Sequence, residues 1–188
     1  MHDREAALSL WREYNDEDSL FRHALAVEAA MRRFAAKYGE DVEYWALVGL
    51  LHDIDYQRHP DEHLKHARTM LSAAGWPEDF IRAVESHGWG LCSEVEPLLK
   101  MEKVLYAVDE LTGFVAACAY VRPSRSVLDM ETKSVRKKWK SAGFAAGVSR
   151  DVIEKGAAML GVELDDLIAE TIMALRDVAE AVGLKGTL

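Results

Sequence analysis

An adjacent histidine and aspartate, His52-Asp53, follow the apolar residues Trp45, Leu47, Val48, Leu50 and Leu51. Neutral imidazole and carboxylate are the donor pair that borderline first-row divalent metals accept. At the end of a buried helix, both groups are costly to desolvate unless paired or bound to a cation. Two more residues of the same chemistry fall where helical periodicity turns inward. His23 lies beside the stripe Leu20, Ala24, Val27, Met31 and Phe34, and Asp109 lies among Val104, Leu105, Val108, Leu111 and Val115. A lone histidine on such a face is usually a satisfied core residue, whereas an unpaired carboxylate there is expensive. Ligands drawn from three helices would make a closed, rigid site of the kind helical bundles build around internal metals.

Such a site needs helices to hold it, and periodicity of the 3.6-residue type dominates the chain. The pattern predicts helices over about 4–14, 18–38, 41–54 (ending in the doublet), 61–73, 77–86, 97–121, 149–160 and 163–182. Gly39, Gly75, Gly161 and Gly183 sit at expected stops. The helix over 61–73 carries His63 and His66. Between Arg122 and Lys140 seven Lys/Arg face two acids, and Lys133, Arg136, Lys137 and Lys140 share one helical face. Alternation of the strand type is absent, so the expected fold is all-α. With 188 residues, 49% of them hydrophobic, and no internal repeat or long linker, residues 1–188 read as a single domain.

Composition narrows the partners. No apolar run reaches the ~18 residues of a membrane span, and the stretch from Met1 to Glu5 leads into an amphipathic segment without a signal-peptide core. Cys92 and Cys118 lack metal-type spacing and read as reduced thiols of a cytoplasmic protein. A net charge of −9 argues against long nucleic acid or anionic membrane as a partner. A small anionic substrate would meet a local field instead. Monomer and homodimer read equally well.

Three fragments now stand in order: Phe21-Arg22-His23-Ala24-Leu25-Ala26-Val27, Leu50-Leu51-His52-Asp53-Ile54-Asp55, and Ala107-Val108-Asp109-Glu110-Leu111-Thr112-Gly113. Together they resemble the HD superfamily of metal-dependent phosphohydrolases over roughly residues 20–120. Residues 122–188, with the basic segment, are then expected to pack on that core, as in a subgroup of small predicted HD hydrolases. The resemblance implies that His23, His52, Asp53 and Asp109 ligate one divalent ion. Some HD proteins hold a second ion, bridged by the doublet's aspartate; His63 and His87 are its candidate ligands here, with His59 and His66 as alternatives to His63. Mn, Co, Fe, Zn, Ni and Mg are not distinguished.

The implied activity is hydrolysis of a phosphomonoester or phosphodiester of a small molecule such as a nucleotide, by a metal-bound hydroxide. His52, Asp53 and Asp55 are the residues assigned to catalysis. Asp55 and Glu110, each near a ligand in sequence, would orient an imidazole or transfer a proton, or else be plain surface acids. Two other readings stay open: a di-iron, dioxygen-activating member of the superfamily, and a non-catalytic domain that binds a nucleotide or partner protein. Arg122 and Lys133 are the candidates for holding substrate phosphate. Against this, a charge run is usually a solvated face, and Arg122 lies ~20 Å along the chain's helix from Asp109.

Overall fold

The computed structural model describes residues 3–141 and 143–187. The expectation about the chain's first five residues thus has Met1 and His2 outside the described set. Nine α-helices and no strand occur among the described residues. They are α1 (Arg4–Tyr14), α2 (Asp18–Tyr38), α3 (Val42–Leu51), α4 (Ala67–Ala73), α5 (Glu78–Ser86), α6 (Lys100–Tyr120), α7 (Thr132–Trp139), α8 (Arg150–Leu160) and α9 (Leu164–Asp177). The all-α expectation holds. None of these helices is long and apolar enough to cross a membrane.

Local chemistry accounts for several boundaries. Asp3, Asp41 and Ser149 accept the first free backbone N–H groups of α1, α3 and α8. Gly39 and Gly161 end α2 and α8 in the left-handed region that glycine enters without cost from a Cβ. Helix α3 is apolar on every side and buried from Trp45 to Leu51, as expected of a helix enclosed by others. It lies close against α2. A Cβ on Gly49 would stand 2.9 Å from Met31 Cγ and 3.0 Å from the Val27 carbonyl oxygen, so the two backbones meet there only because residue 49 has no side chain.

Long helices α2 and α6 run through the core and place His23 and Asp109 beside the end of α3. Their apolar faces join those of α1, α3, α5 and α9 in one contiguous cluster that continues to Leu184. The segment after α6 is tied down by the end of the chain. Val127 N–H donates to Leu184 O, Thr187 N–H donates to Ser124 O, and the Arg176 guanidinium donates to the Val127 and Met130 carbonyls.

Helix α9 ends at Asp177, five residues short of the expected 182, and α6 begins at Lys100 rather than 97; two further corrections concern the site. Helix α3 stops at Leu51, three residues earlier than its pattern suggests, with His52 as the C-cap and turns from there to residue 58. Nor do His63 and His66 lie on a helix. A short 3-10 turn covers Pro60–Glu62, Leu64 sits at φ 67°, and α4 begins only at Ala67. Leu64 is buried, so its strained backbone is held by packing. Periodicity cannot register such a break, because the apolar spacing continues across it.

Candidate metal centre

Six side chains converge from six positions in the fold. Helix α2 supplies His23, the C-cap of α3 supplies His52, and the turn after it supplies Asp53. The connector before α4 supplies His63, the C-cap of α5 supplies His87, and α6 supplies Asp109.

They sort into two halves about the Asp53 carboxylate. On one side, His23 Nε2 lies 3.1 Å from His52 Nε2, 2.9 Å from Asp109 Oδ1 and 3.6 Å from Asp53 Oδ2. His52 Nε2 is 3.3 Å from the same Asp53 oxygen and 3.4 Å from Asp109 Oδ1. On the other side, His63 Nε2 and His87 Nε2 stand 3.1 Å apart, at 3.3 and 3.5 Å from Asp53 Oδ1. One carboxylate therefore faces each half with a different oxygen.

The imidazoles are oriented by backbone groups that helix ends leave unpaired. His52 Nδ1 lies 2.8 Å from the Gly49 carbonyl, and His87 Nδ1 lies 2.6 Å from the Val84 carbonyl. Each is a C-cap histidine donating to the carbonyl three residues back. His63 Nδ1 meets Asp55 Oδ1 at 3.0 Å. In all three rings the hydrogen on Nδ1 is committed, so the neutral ring presents a bare lone pair at Nε2.

That arrangement fits a cation. The Nε2 lone pairs face one another and two carboxylates, so acceptor meets acceptor throughout. Donors ~2.1 Å from one ion stand ~3.0–3.4 Å apart at octahedral or tetrahedral angles, which matches the separations within each half.

Without an ion, protons take its place. Burial alone would lower the His52 imidazole, but the charges of Asp53 and Asp109 outweigh it and hold the ring well above its usual value. His63 is likewise lowered by burial and raised more by Asp53 and Asp55, ending at about 9. Burial would raise Asp53 and Asp109, yet their histidine partners pull both well below the carboxylate range.

A cavity of about 340 Å³ opens over this cluster, with His23, Asp53, His63, His87, Asp109, Glu110, Tyr56 and Cys92 among its walls. No lysine or arginine lines it among the described residues. Glu110 is a carboxyl in that wall outside the converging set. Burial, then the charge of Asp109, pushes it up to about 7, while its Oε2 accepts the Ser149 N–H. A larger hollow of about 460 Å³ between α2 and α9 holds Arg33 and Lys37, both paired to Glu170, and no ligand cluster.

Several expectations move. Asp55 is fully buried behind His63, where its Oδ2 also accepts the N–H groups of His66 and Ala67, so it orients an imidazole and does not reach the cavity. His59 and His66 stack on each other beside Glu62, away from the cavity walls. Arg122 and Lys133 are not brought to the cavity. Arg122 donates to Asp129 and Ser134 and braces the turn after α6, and exposed Lys133 pairs with Glu131. Sequence reasoning missed the Gly49 and Val84 carbonyls, which no side-chain pattern reveals. It also read Cys92 only as a reduced thiol, without placing it at the cavity wall.

The class is therefore an all-helical protein with a His/Asp cluster under an open cavity. The family model of the HD domain matches residues 20–112, a span that contains all six converging residues. Residues 20–112 thus form an HD domain, of a superfamily whose members are generally metal-dependent hydrolases. Comparison with curated proteins and with solved structures found no match.

Proposed function

We propose that the protein is a divalent-metal phosphohydrolase that cleaves a phosphomonoester or phosphodiester of a small molecule. The observation that carries this reading is the division of the Asp53 carboxylate between two sets of Nε2 donors inside an open cavity. His23, His52, Asp53 and Asp109 would hold one ion, and Asp53, His63 and His87 a second. A divalent ion bound there supplies Lewis acidity toward a phosphoryl oxygen and acidifies coordinated water toward neutral pH. With no basic side chain in the cavity wall, that charge is what an anionic substrate would meet.

The chain's own residues do the rest. The Gly49 and Val84 carbonyls fix which imidazole nitrogen faces the cavity, and Asp55 does so for His63. Glu110, anchored through Ser149 at the cavity wall, is assigned to exchange a proton with the leaving-group oxygen. Cys92 and Cys118, both free thiols, support a reducing, cytoplasmic setting.

The joining of His63 and His87 to the cluster also favours a second reading, activation of dioxygen at two irons. The test is metal identity and stoichiometry on protein purified without chelator or nickel column, followed by a phosphoester panel. Release of phosphate from a monoester, or of alcohol and monoester from a diester, with Mn, Co, Zn or Mg supports the first reading. Two irons per chain with oxygen consumption, and no ester cleavage, would replace it with the second.

A further inference from the structure

A second hollow, of about 260 Å³, adjoins the metal cavity, and His23 and Gly113 line both. Gly113 puts no side chain between them. A Cβ on Gly113 would meet nothing nearer than Val148 Cγ2 at 3.8 Å. Ala26, Ala116, Tyr120 and Leu184 give this hollow mostly apolar walls, and Arg22 supplies its cation.

Arg22 differs from most arginines of the chain. Arg4, Arg32, Arg33, Arg68, Arg82, Arg122 and Arg136 are each paired with a carboxylate, whereas Arg22 has no hydrogen-bond or ion-pair partner among the described residues. The guanidinium lies over Gly183, where a Cβ would come within 2.8 Å of Arg22 Nη1, and the left-handed φ of 72° there favours glycine as well. An exposed, unpaired guanidinium lying over a glycine, beside an apolar hollow in a protein of net charge −9, is suited to receive an anion through two parallel N–H donors.

We propose that this side hollow binds the part of the substrate remote from the scissile bond: an apolar, flat body ending in a carboxylate or second phosphate that Arg22 grips. The inference rests on the phosphohydrolase reading and narrows its substrate to phosphoesters with a second anionic end. Tyr120, about half-exposed at the rim, offers a face to the body, while the ester's phosphoryl group lies in the metal cavity past Gly113.

The test is calorimetric binding of three phosphonates, which carry no ester bond, to the metal-loaded protein: 4-methylbenzylphosphonate, 4-(phosphonomethyl)benzoate and 1,4-xylylenediphosphonate. The carboxylate or the second phosphonate should tighten binding about tenfold or more, and whichever gains more identifies the terminal group. Arg22→Ala should reduce that gain to about nothing, and Arg22→Lys should restore part of it, with the circular dichroism of both variants unchanged. Equal affinity of the wild type for all three compounds, or a gain that survives Arg22→Ala, overturns the side-hollow assignment and leaves the phosphohydrolase reading standing. If none of the three binds, the phosphoryl reading of the metal cavity falls, and this inference falls with it.

Discussion

Asp55 Oδ1 lies 3.0 Å from His63 Nδ1, while its other oxygen accepts the backbone N–H groups of His66 and Ala67. One buried carboxylate thus fixes both the imidazole that faces Asp53 and the chain that delivers it. Its carboxyl would be raised by burial but is held below its usual range by those donors. Asp55→Ala should lower metal content by about one ion per chain, because the half built on His63 loses its orienting partner. It should also destabilise the fold by about 1–3 kcal/mol through unsatisfied buried N–H groups. Full metal occupancy in a folded Asp55→Ala variant would show that His63 needs no such support.

The two halves should separate by mutation. Asp53→Ala removes the shared carboxylate and is expected to abolish binding in both halves. His63→Ala should spare the half made by His23, His52 and Asp109. Helicity should persist in both variants, since neither residue belongs to a helix. Elemental analysis of the purified variants decides this, and equal metal loss in the two would mean that the halves do not bind independently.

The converging set was legible because its members sit on or beside strongly periodic helices. His23 and Asp109 fall on the inward stripes of α2 and α6, and His52 follows a run that is apolar all round. His63 was singled out for a partly wrong reason. The pattern placed it on a helix, and the structure puts it in an irregular connector that Leu64 and Asp55 hold in place. Arg122 and Lys133 mark the opposite failure. Clustered positive charge suggests phosphate binding, yet neighbouring acids such as Asp129 and Glu131 take these side chains up locally. The side hollow was invisible from sequence because its wall joins Arg22 and Ala26 to Val182 and Leu184, far along the chain.

Stability of the chelated protein should fall with rising pH. His52 and His63 have folded values raised above the ordinary 6.5, so their contribution is complete below that pH and is lost as pH climbs through the folded value, about 9 for His63. The lowered carboxyls of Asp53, Asp55 and Asp109 act oppositely, contributing above about pH 4 and losing that contribution only as strong acid protonates them. Thermal melts in chelator should therefore drop by several degrees, roughly 3–10 °C, between pH 6 and 9. Bound metal should reverse the trend, since an ion replaces the protons and its affinity grows as they leave. A chelated protein with a flat Tm across that range would contradict the proton-for-metal exchange.

Gly49 joins the fold to the site. A Cβ there would press on Met31 Cγ and on α2 backbone at Val27 and Glu28, while the Gly49 carbonyl orients His52. Gly49→Ala should cost about 1–3 kcal/mol as α2 and α3 are forced apart. Because α2 carries His23 and α3 ends at His52, metal affinity should weaken as well. Denaturant unfolding and metal titration on the same variant check the two effects together. A loss of stability with unchanged metal affinity would mean that the site adjusts independently of the helix spacing.

Glu110 provides the sharpest separation of binding from chemistry. It lines the cavity but stands outside the six converging side chains, and its carboxylate is anchored to the N-terminal end of α8 through the Ser149 N–H. Glu110→Gln preserves size and can still accept that N–H through its amide oxygen. Metal content and melting temperature should therefore change little. If Glu110 passes a proton to the leaving group, kcat should fall by about 10²–10⁴ while KM stays close to its original value. The loss should be greatest for esters with poor leaving groups and small for activated aryl phosphates, whose oxygen departs without a proton. A uniform loss across both kinds of ester would instead mark Glu110 as a group that positions substrate or water.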